Sequence, residues 1–379
     1  MKTKNAVQNL RQFVGALVEA GVNDWTTWKA WRDNAENAER MRKWFGYEQG
    51  LGMPSITNLV KPFFHPTLPL IGLNYSEIAQ FTLHAFENGW TPTLCLCRGI
   101  IFDRDVNLVA FPFPKFFNFG EEKQITKPLP GGKFVVRRKY DGHLLITFKY
   151  QGEIVGTTRG SFISHTSKVA DKMLDVFRQK WATSMPDDVT VLLEVIHPTT
   201  HVIVDYDKEG FILLGAFDRN TFHDFSDKEL VALSKKLGVK LAEEFKVESL
   251  EVLDSYVRKS RYLNQEGFVV RFDDGERVKY KFKSYISRWI GAKLSVGYVM
   301  NSLINGTYES KFADLSADVR GKAERIRKQI VKAATCSANI KEQRARLYGL
   351  VPGDECNSTH KQKCGKILKL VREKQLKAA

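Results

Sequence analysis

Cysteine is scarce in this chain: five residues in 379, an odd number without a repeating spacing. No disulfide framework is expected from that pattern, and a reducing, cytoplasmic setting follows. Long apolar runs are missing too. No stretch approaches the roughly 18 uninterrupted apolar residues of a transmembrane helix, so no membrane partner is expected. The opening "MKTKNAVQNLRQFV" lacks the apolar core and small-residue cleavage site of a secretory signal. Internal repeats and low-complexity tracts are absent, which excludes a solenoid. Acid is in deficit: 58 Lys and Arg face 43 Asp and Glu, a formal charge of +15. Residues 291–379 hold 18 Lys and Arg against 8 Asp and Glu, a net of +10. A polyanion, nucleic acid first, would be drawn to that end, although a merely soluble basic helical domain would look the same.

What is present suits an ordinary soluble protein, 43% hydrophobic and 27% charged, with length for one large and one smaller domain. Residues 6–46 carry Leu10, Phe13, Val14, Leu17 and Val18 at helical spacing. Trp25, Trp28 and Trp31 follow three apart and read as a packing face rather than a base-stacking platform. "GLGMPSITNLVKPFFHPTLPL" reads as an irregular lead-in. From 94 to 290 short β-type runs take over: "LCLCRGIIFD", "LVAFPFP", "KFVVRRK", "LLITFKY", "EIVGTTRG", "VTVLLEVI", "HVIVDY", "FILLGAF", "GFVVRF" and "RVKYKFK". Cys95 and Cys97 alternate with Leu94 and Leu96 in the first of these, as apolar filler. Helices are expected over 166–183 and 227–238, the second capped by Ser226. Beyond Tyr285 only helix formers with basic faces remain. The expected architecture is α+β: an N-terminal helical extension (1–49), a domain of antiparallel sheets with flanking helices (50–290), and a basic all-α C-terminal domain (291–379).

Within "RRKYDGHLLI" the Asp-Gly pair between apolar runs is a two-residue hairpin signal, which would leave Lys139 as a solvated surface charge. Charged residues elsewhere in the β-rich region argue for more. Arg98 stands in "CRGIIFD", Lys115 in "FPKFFNFGE", Arg159 in "TTRGS", Glu194 in "VLLEVI" and Glu266 in "QEGFVVRF". Lys279, Lys281 and Lys283 alternate in "VKYKFKS" and would share one strand face, where three cations repel unless they are solvated or hold an anion.

This ordered set resembles the covalent nucleotidyltransferases, and within them the ATP-dependent RNA ligases of the phage RNA ligase 1 branch. "KYDG" matches the family's Lys-x-Asp-Gly nucleophile motif at Lys139, Asp141 and Gly142. "CRGIIFD" and "KFFNFGE" look like that branch's own elements at Arg98 and Lys115. "RGS" resembles a phosphate-contacting element that usually carries Lys, here Arg159. "LLEVI", "EGFVV" and "KFKS" match further motifs at Glu194, Glu266, Lys281 and Lys283, at intervals of 55, 72 and 15 residues from Lys139.

The resemblance implies a nucleotidyltransferase domain with ATP as AMP donor and Mg2+ or Mn2+ as metal. It implies catalysis by Lys139, Glu194 and Glu266, with nucleotide contacts from Arg98, Lys115, Arg159, Lys281 and Lys283. Glu194 would reach the ribose, Glu266 would support the nucleotide site or the metal, and Glu309 in "INGTYES" would be a further metal contact. The partner would be RNA with 5′-phosphate and 3′-hydroxyl ends, of which a nicked tRNA is what the branch suggests, and the chain would act as a monomer. Phe217 in "LGAFD" would cover the adenine or belong to the core. A DNA ligase, a capping-type nucleotidyltransferase and a non-catalytic RNA-binding protein on this fold are the rival expectations. Helix after "KFKS", where DNA ligases and capping enzymes place a barrel, favours RNA. Physical chemistry agrees with the assignment of Lys139: a nucleophilic lysine must shed a proton whose reference pKa is about 10.4, and neighbouring cations promote that loss. Arg138, next in the chain, would be one of them. Gly142 would supply a φ above zero in the turn. Cys336, Cys356, His360 and Cys364 form a candidate zinc set, at odds with Pro352 and Gly353 nearby.

Overall fold

The computed structural model describes residues 2–86, 88–119, 132–260 and 264–373. Backbone contacts divide the chain into two units, residues 1–250 with 267–280, and residues 251–266 with 281–379.

The first unit begins with three helices, α1 (Lys2–Glu19), α2 (Trp25–Arg32) and α3 (Ala35–Phe45). Phe13 of α1 meets Trp28, Trp31 and Phe45 at ring-centroid distances of 6.0, 5.9 and 5.4 Å. The tryptophan stripe is thus a packing face, except that Trp25 is 52% exposed. These helices share one hydrophobic core with the first sheet, so residues 1–49 are an integral part of the first unit and not a separate extension.

That sheet runs β1-β2-β3-β4: β1 (Val60–Phe64), β2 (Leu70–Tyr75), β3 (Arg98–Asp103) and β4 (Leu108–Ala110). The stretch read as an irregular lead-in therefore supplies an edge strand, where Pro62 is tolerated. Two short helices, α4 (Glu77–Thr82) and α5 (Pro92–Leu96), connect β2 to β3. Cys95 accordingly lies in a helix and Cys97 at its C-cap, not in a strand, because Thr91 caps the amide of Leu94 and Pro92 opens the first turn.

β5 (Phe117–Asn118) is followed in the chain by β6 (Phe134–Lys139), then β7 (His143–Tyr150) and β8 (Glu153–Thr158). Helix α6 (His165–Ser184) leads to β9 (Val189–Ile196) and β10 (Gly210–Asp218). Next come α7 (Asp227–Leu237) and β11 (Lys240–Leu241), and after α8 (Leu250–Lys259) of the second unit come β12 (Gly267–Phe272) and β13 (Arg277–Lys281). They build a second sheet, β11-β10-β9-β7-β8, and a third, β5-β13-β12-β6. The described pairings are antiparallel apart from the short β10–β11 and β5–β13 pairs. β9 is buried along its whole length. Val191, Leu193 and Val195 face α6 and α7, while Leu192 joins the core under the first sheet. Alternation gives Glu194 the same side as Leu192.

Two strand expectations fail here. "HVIVDY" is an irregular loop, because the amides of Ile203 and Val204 are taken by a side chain, the Asp141 carboxylate, instead of a ladder. "KYDG" is no hairpin either: β6 lies in the third sheet and β7 in the second, so Tyr140–Gly142 cross between sheets.

In the second unit α8 is joined by α9 (Lys283–Lys293), α10 (Val296–Ile304), α11 (Tyr308–Phe312), α12 (Ala317–Thr335), α13 (Ile340–Tyr348) and α14 (Ser358–Arg372). Val299, Met300, Phe312, Ile330, Leu347 and Ile367 form a core of their own. The unit takes in residues 251–266 and starts again at 281, earlier than the boundary of 291 expected from charge. Among the described residues no strand follows Lys281, and no helix is long and apolar enough to cross a membrane.

Ser226 caps α7 as expected, in a reciprocal capping box with Glu229. Bonds from the Ser226 hydroxyl and amide, aided by His223 and opposed by slight burial, hold the Glu229 carboxyl down at about 2 from an ordinary 4.5. A carboxylate depressed in the folded state stabilises above its unfolded pKa, and the effect fades as pH falls from 4.5 through about 2. Glu229→Gln should therefore lower the unfolding free energy at pH 6 by at most about 1 kcal/mol, since the site is exposed, and by nothing measurable at pH 2. Urea titrations at the two pH values check this.

Candidate active site

Lys139 is the last residue of β6, its backbone paired with Gly267 of β12. Its Nζ lies 3.4 Å from the carbonyl oxygen of Tyr140. The next three residues are anchored one by one. Tyr140 is buried and stacks on Tyr206 at 6.1 Å. Asp141 donates its amide to the Tyr206 hydroxyl at 2.7 Å, and its carboxylate accepts the amides of Ile203 and Val204, each at 2.8 Å. Burial pushes the Tyr206 phenol up, which keeps it neutral and able to donate as well as accept. Gly142 donates its amide to Glu194 Oε1 at 2.9 Å.

The requirement for glycine differs from expectation. Gly142 is not in the left-handed region. A Cβ there would stand 2.2 Å from the carbonyl oxygen of Val195 and 3.0 Å from Glu194 Cγ, so close approach, not a positive φ, excludes a side chain.

Glu194 is buried. An unpaired carboxylate there would cost several kcal/mol; the Gly142 amide and the charge of Arg98 offset this. Arg98 opens β3 beside Gly99, whose φ is +92° and whose missing side chain admits Ile146 and the backbone of Arg159. Burial lowers the Arg98 pKa; Tyr75 and Glu194 act against the fall. Arg159 Nη1 donates to the Tyr75 hydroxyl at 2.8 Å. Burial works to raise the Tyr75 phenol, but Arg159, Arg98 and Lys115 outweigh it and the net shift is downward. Lys115 Nζ lies 4.4 Å from the Trp90 ring centroid, 4.5 Å from Phe117 and 5.4 Å from Tyr75. Three cations thus converge on one tyrosine.

In the second unit Lys281 Nζ pairs with Glu266 Oε1 at 2.8 Å. Glu266 is buried, and the pairing satisfies it. Lys283 is not on the strand face with Lys281. The strand ends at Lys281, and Lys283 opens α9, 54% exposed, with Asp314 Oδ2 at 3.7 Å. Glu309 is exposed in the first turn of α11.

Other expectations shift as well. Arg138 reaches Glu243 at 3.6 Å and lies over the Tyr140 ring, on the strand face opposite Lys139. Phe217 is a core residue, edge-on to Phe111 and Phe113 at 5.4 and 5.6 Å. Of the candidate zinc ligands, His360 Nε2 contacts Leu347 O at 3.1 Å and Cys364 Sγ at 3.4 Å inside the helical core, while Cys336 is exposed. Among the described residues no three His, Cys, Asp or Glu side chains gather as a metal cage. A hard divalent ion that takes phosphate and water oxygens for most of its shell does not need such a cage.

Comparison with known proteins shows the family. The family model described as RNA ligase matches residues 96–286, half of the chain and the whole span from Arg98 to Lys283. The chain belongs to the RNA ligase family. A candidate RNA ligase of Thermovibrio ammonificans is 25% identical over 304 residues, covering 75% of this chain and 77% of that one. Among solved structures, an archaeal ATP-dependent RNA ligase aligns over 83% of this chain and 77% of its own, at 16% identity and a TM-score of 0.45. A candidate ATP-dependent DNA ligase from Aquifex aeolicus aligns over 82% and 74%, at 13% identity and a TM-score of 0.39.

For an RNA ligase, motif matching misses Tyr75, Trp90 and Tyr206. No local pattern marks them: Tyr75 stands 84 residues from Arg159, and Tyr206 stands 65 from Asp141. The Gly142 crossing yields a direct test. Gly142→Ala forces the backbone of β9 to move, which should cost about 1–3 kcal/mol and lower the denaturation midpoint at unchanged m-value. An unchanged midpoint would show that the junction has room.

Proposed function

We propose that this ligase seals RNA with ATP, using Lys139 as the nucleophile. The observation that supports it best is the junction itself, which sets Lys139 at a strand end and fastens the following turn to Glu194, next to Arg98. In the first step the neutral Lys139 amine attacks the α-phosphorus of ATP. A nitrogen–phosphorus bond forms, the bond to pyrophosphate breaks, and the amine proton leaves to solvent. In the second, the RNA 5′-phosphate takes the adenylate and the Lys139 nitrogen is released. In the third, an RNA 3′-hydroxyl attacks that phosphate, AMP departs, and a 3′–5′ phosphodiester remains.

Arg98, Lys115 and Arg159, with Lys281 and Lys283, would bear on the phosphoryl oxygens, where preorganised positive charge is worth most. Glu194, held by the Gly142 amide, would reach a ribose hydroxyl. Mg2+ or Mn2+ would add charge on the phosphates, with Glu266 and Glu309 as candidate contacts. The basic helices of the second unit would hold the RNA backbone, since phosphate contacts orient a substrate without reading bases. A nicked tRNA, a monomeric state and a cytoplasmic location complete the proposal.

Incubation with α-labelled ATP and Mg2+ or Mn2+, then denaturing electrophoresis, tests the nucleophile. Wild type should carry label and Lys139→Ala none, a loss of at least about 1000-fold. Label retained by Lys139→Ala would refute the assignment, and label from GTP alone would point to a capping-type enzyme. On α14 the exposed Lys361, Lys366 and Lys369 test the RNA surface. Changing all three to Gln should leave lysyl-AMP formation within about twofold of wild type, weaken RNA joining about tenfold, and flatten its salt dependence. Equal loss of both activities would make α14 structural instead.

A further inference from the structure

A group of charges outside the nucleotide cluster links the second and third sheets. Each of three strands of the third sheet sends one arginine toward the stretch from Asp224 to Asp227, where the chain leaves β10 and opens α7. From β13, Arg277 Nη2 donates to Asp224 Oδ1 at 2.9 Å, while Nη1 lies 2.8 Å from Oδ2 as an ion contact and donates to the Gly275 carbonyl at 3.0 Å. From β12, Arg271 Nε lies 3.3 Å from Asp224, and Nη1 donates to the Phe225 carbonyl at 2.7 Å. From β6, Arg137 Nη2 lies 3.0 Å from Asp227, and Nη1 donates to the Ala242 carbonyl at 2.6 Å. Arg277 also packs over the Phe113 ring at 4.6 Å. The receiving segment belongs to the second sheet: Asp224 bridges Phe217 of β10, and Phe225 donates its amide to Ala216. β10 in turn pairs with β9 and sets Ile212 opposite Glu194.

This arrangement ties the strand that ends in Lys139 to the sheet that holds Glu194. Only Tyr140, Asp141 and Gly142 separate the two along the chain, so a slide of one sheet over the other is delivered to Lys139 almost undiminished. We propose that Asp224 and Arg277 are positioning residues for lysyl-AMP formation, their ion pair setting the alignment of the Lys139 sheet against the Glu194 sheet. The inference rests on Lys139 being the nucleophile. Stability alone does not require an ion pair there, since an apolar pair of similar volume is commonly as stable in a buried site. What an apolar pair lacks is direction: the charge-assisted Nη2–H···Oδ1 bond and the guanidinium anchored on Gly275 hold an angle that a methyl contact does not. Misplacement of a reacting atom by about 1 Å can cost about 100-fold in rate.

The decisive variant is the full-length double substitution Asp224→Leu with Arg277→Met. Three quantities are measured: the thermal midpoint, the KM for ATP, and the rate constant of lysyl-AMP formation at saturating ATP. Positioning predicts a midpoint near wild type, a KM within about twofold, and a rate constant at least about tenfold lower. A folded double variant with the wild-type rate constant overturns the proposal. Should the double variant not fold, Arg277→Lys keeps the charge and removes the planar guanidinium that bonds Asp224 and Gly275 at once. At least tenfold slower labelling by that folded protein supports positioning, and wild-type labelling overturns it. Failure of the wild-type chain to take label would instead count against the nucleophile assignment, and it is seen before any variant is compared.

Discussion

A single amide-to-carboxylate bond, from Gly142 to the buried Glu194, is the contact on which the candidate site depends. Glu194 is the one charged residue of a fully buried strand, and a carboxylate there must be satisfied or be driven to neutrality. Gly142 supplies the donor by coming so close to β9 that no side chain fits. The chain can then leave one sheet at Lys139 and enter the next at His143 within three residues. Asp141 completes the junction by holding the loop after β9 through two amides. The nucleophile candidate thus inherits the place of its backbone from a crossing between sheets.

Electrostatics around the junction depend on how the cations are held. Arg159 leans on the phenol of Tyr75, and the Lys115 ammonium lies among aromatic faces. Aromatic and phenolic contacts orient a cation without cancelling its charge as a carboxylate would. The pull these charges exert on Tyr75 is strong enough to reverse the effect of burial on its phenol. In the second unit the logic is opposite, since Lys281 is spent on making the buried Glu266 tolerable.

Much of this was legible in one dimension. Periodicity marked α1 to α3 and most strands of the second and third sheets, and Ser226 was recognisable as a cap because capping is a local hydrogen bond. Family motifs singled out Lys139, Glu194 and Arg98, of which the last two interact in the fold. Errors gathered where a distant partner decides the backbone and where one element gives way to the next. "HVIVDY" has every local mark of a strand, yet Asp141 takes its amides. Cys95 reads as strand by alternation, yet a threonine cap and a proline start a helix. Lys283 continues an alternation that stops two residues earlier.

The chain by itself determined its composition, its charge gradient, its element types and the order of its charged motifs, because those depend on residues near one another. Only the tertiary structure decided that Asp-Gly joins two sheets instead of turning a hairpin, and that Tyr75 collects three cations. It also decided that Arg137, Arg271 and Arg277 meet two aspartates. Each of those outcomes needs groups brought together from tens of residues apart, and their approach is set by the packing of whole sheets, which no local window of residues encodes.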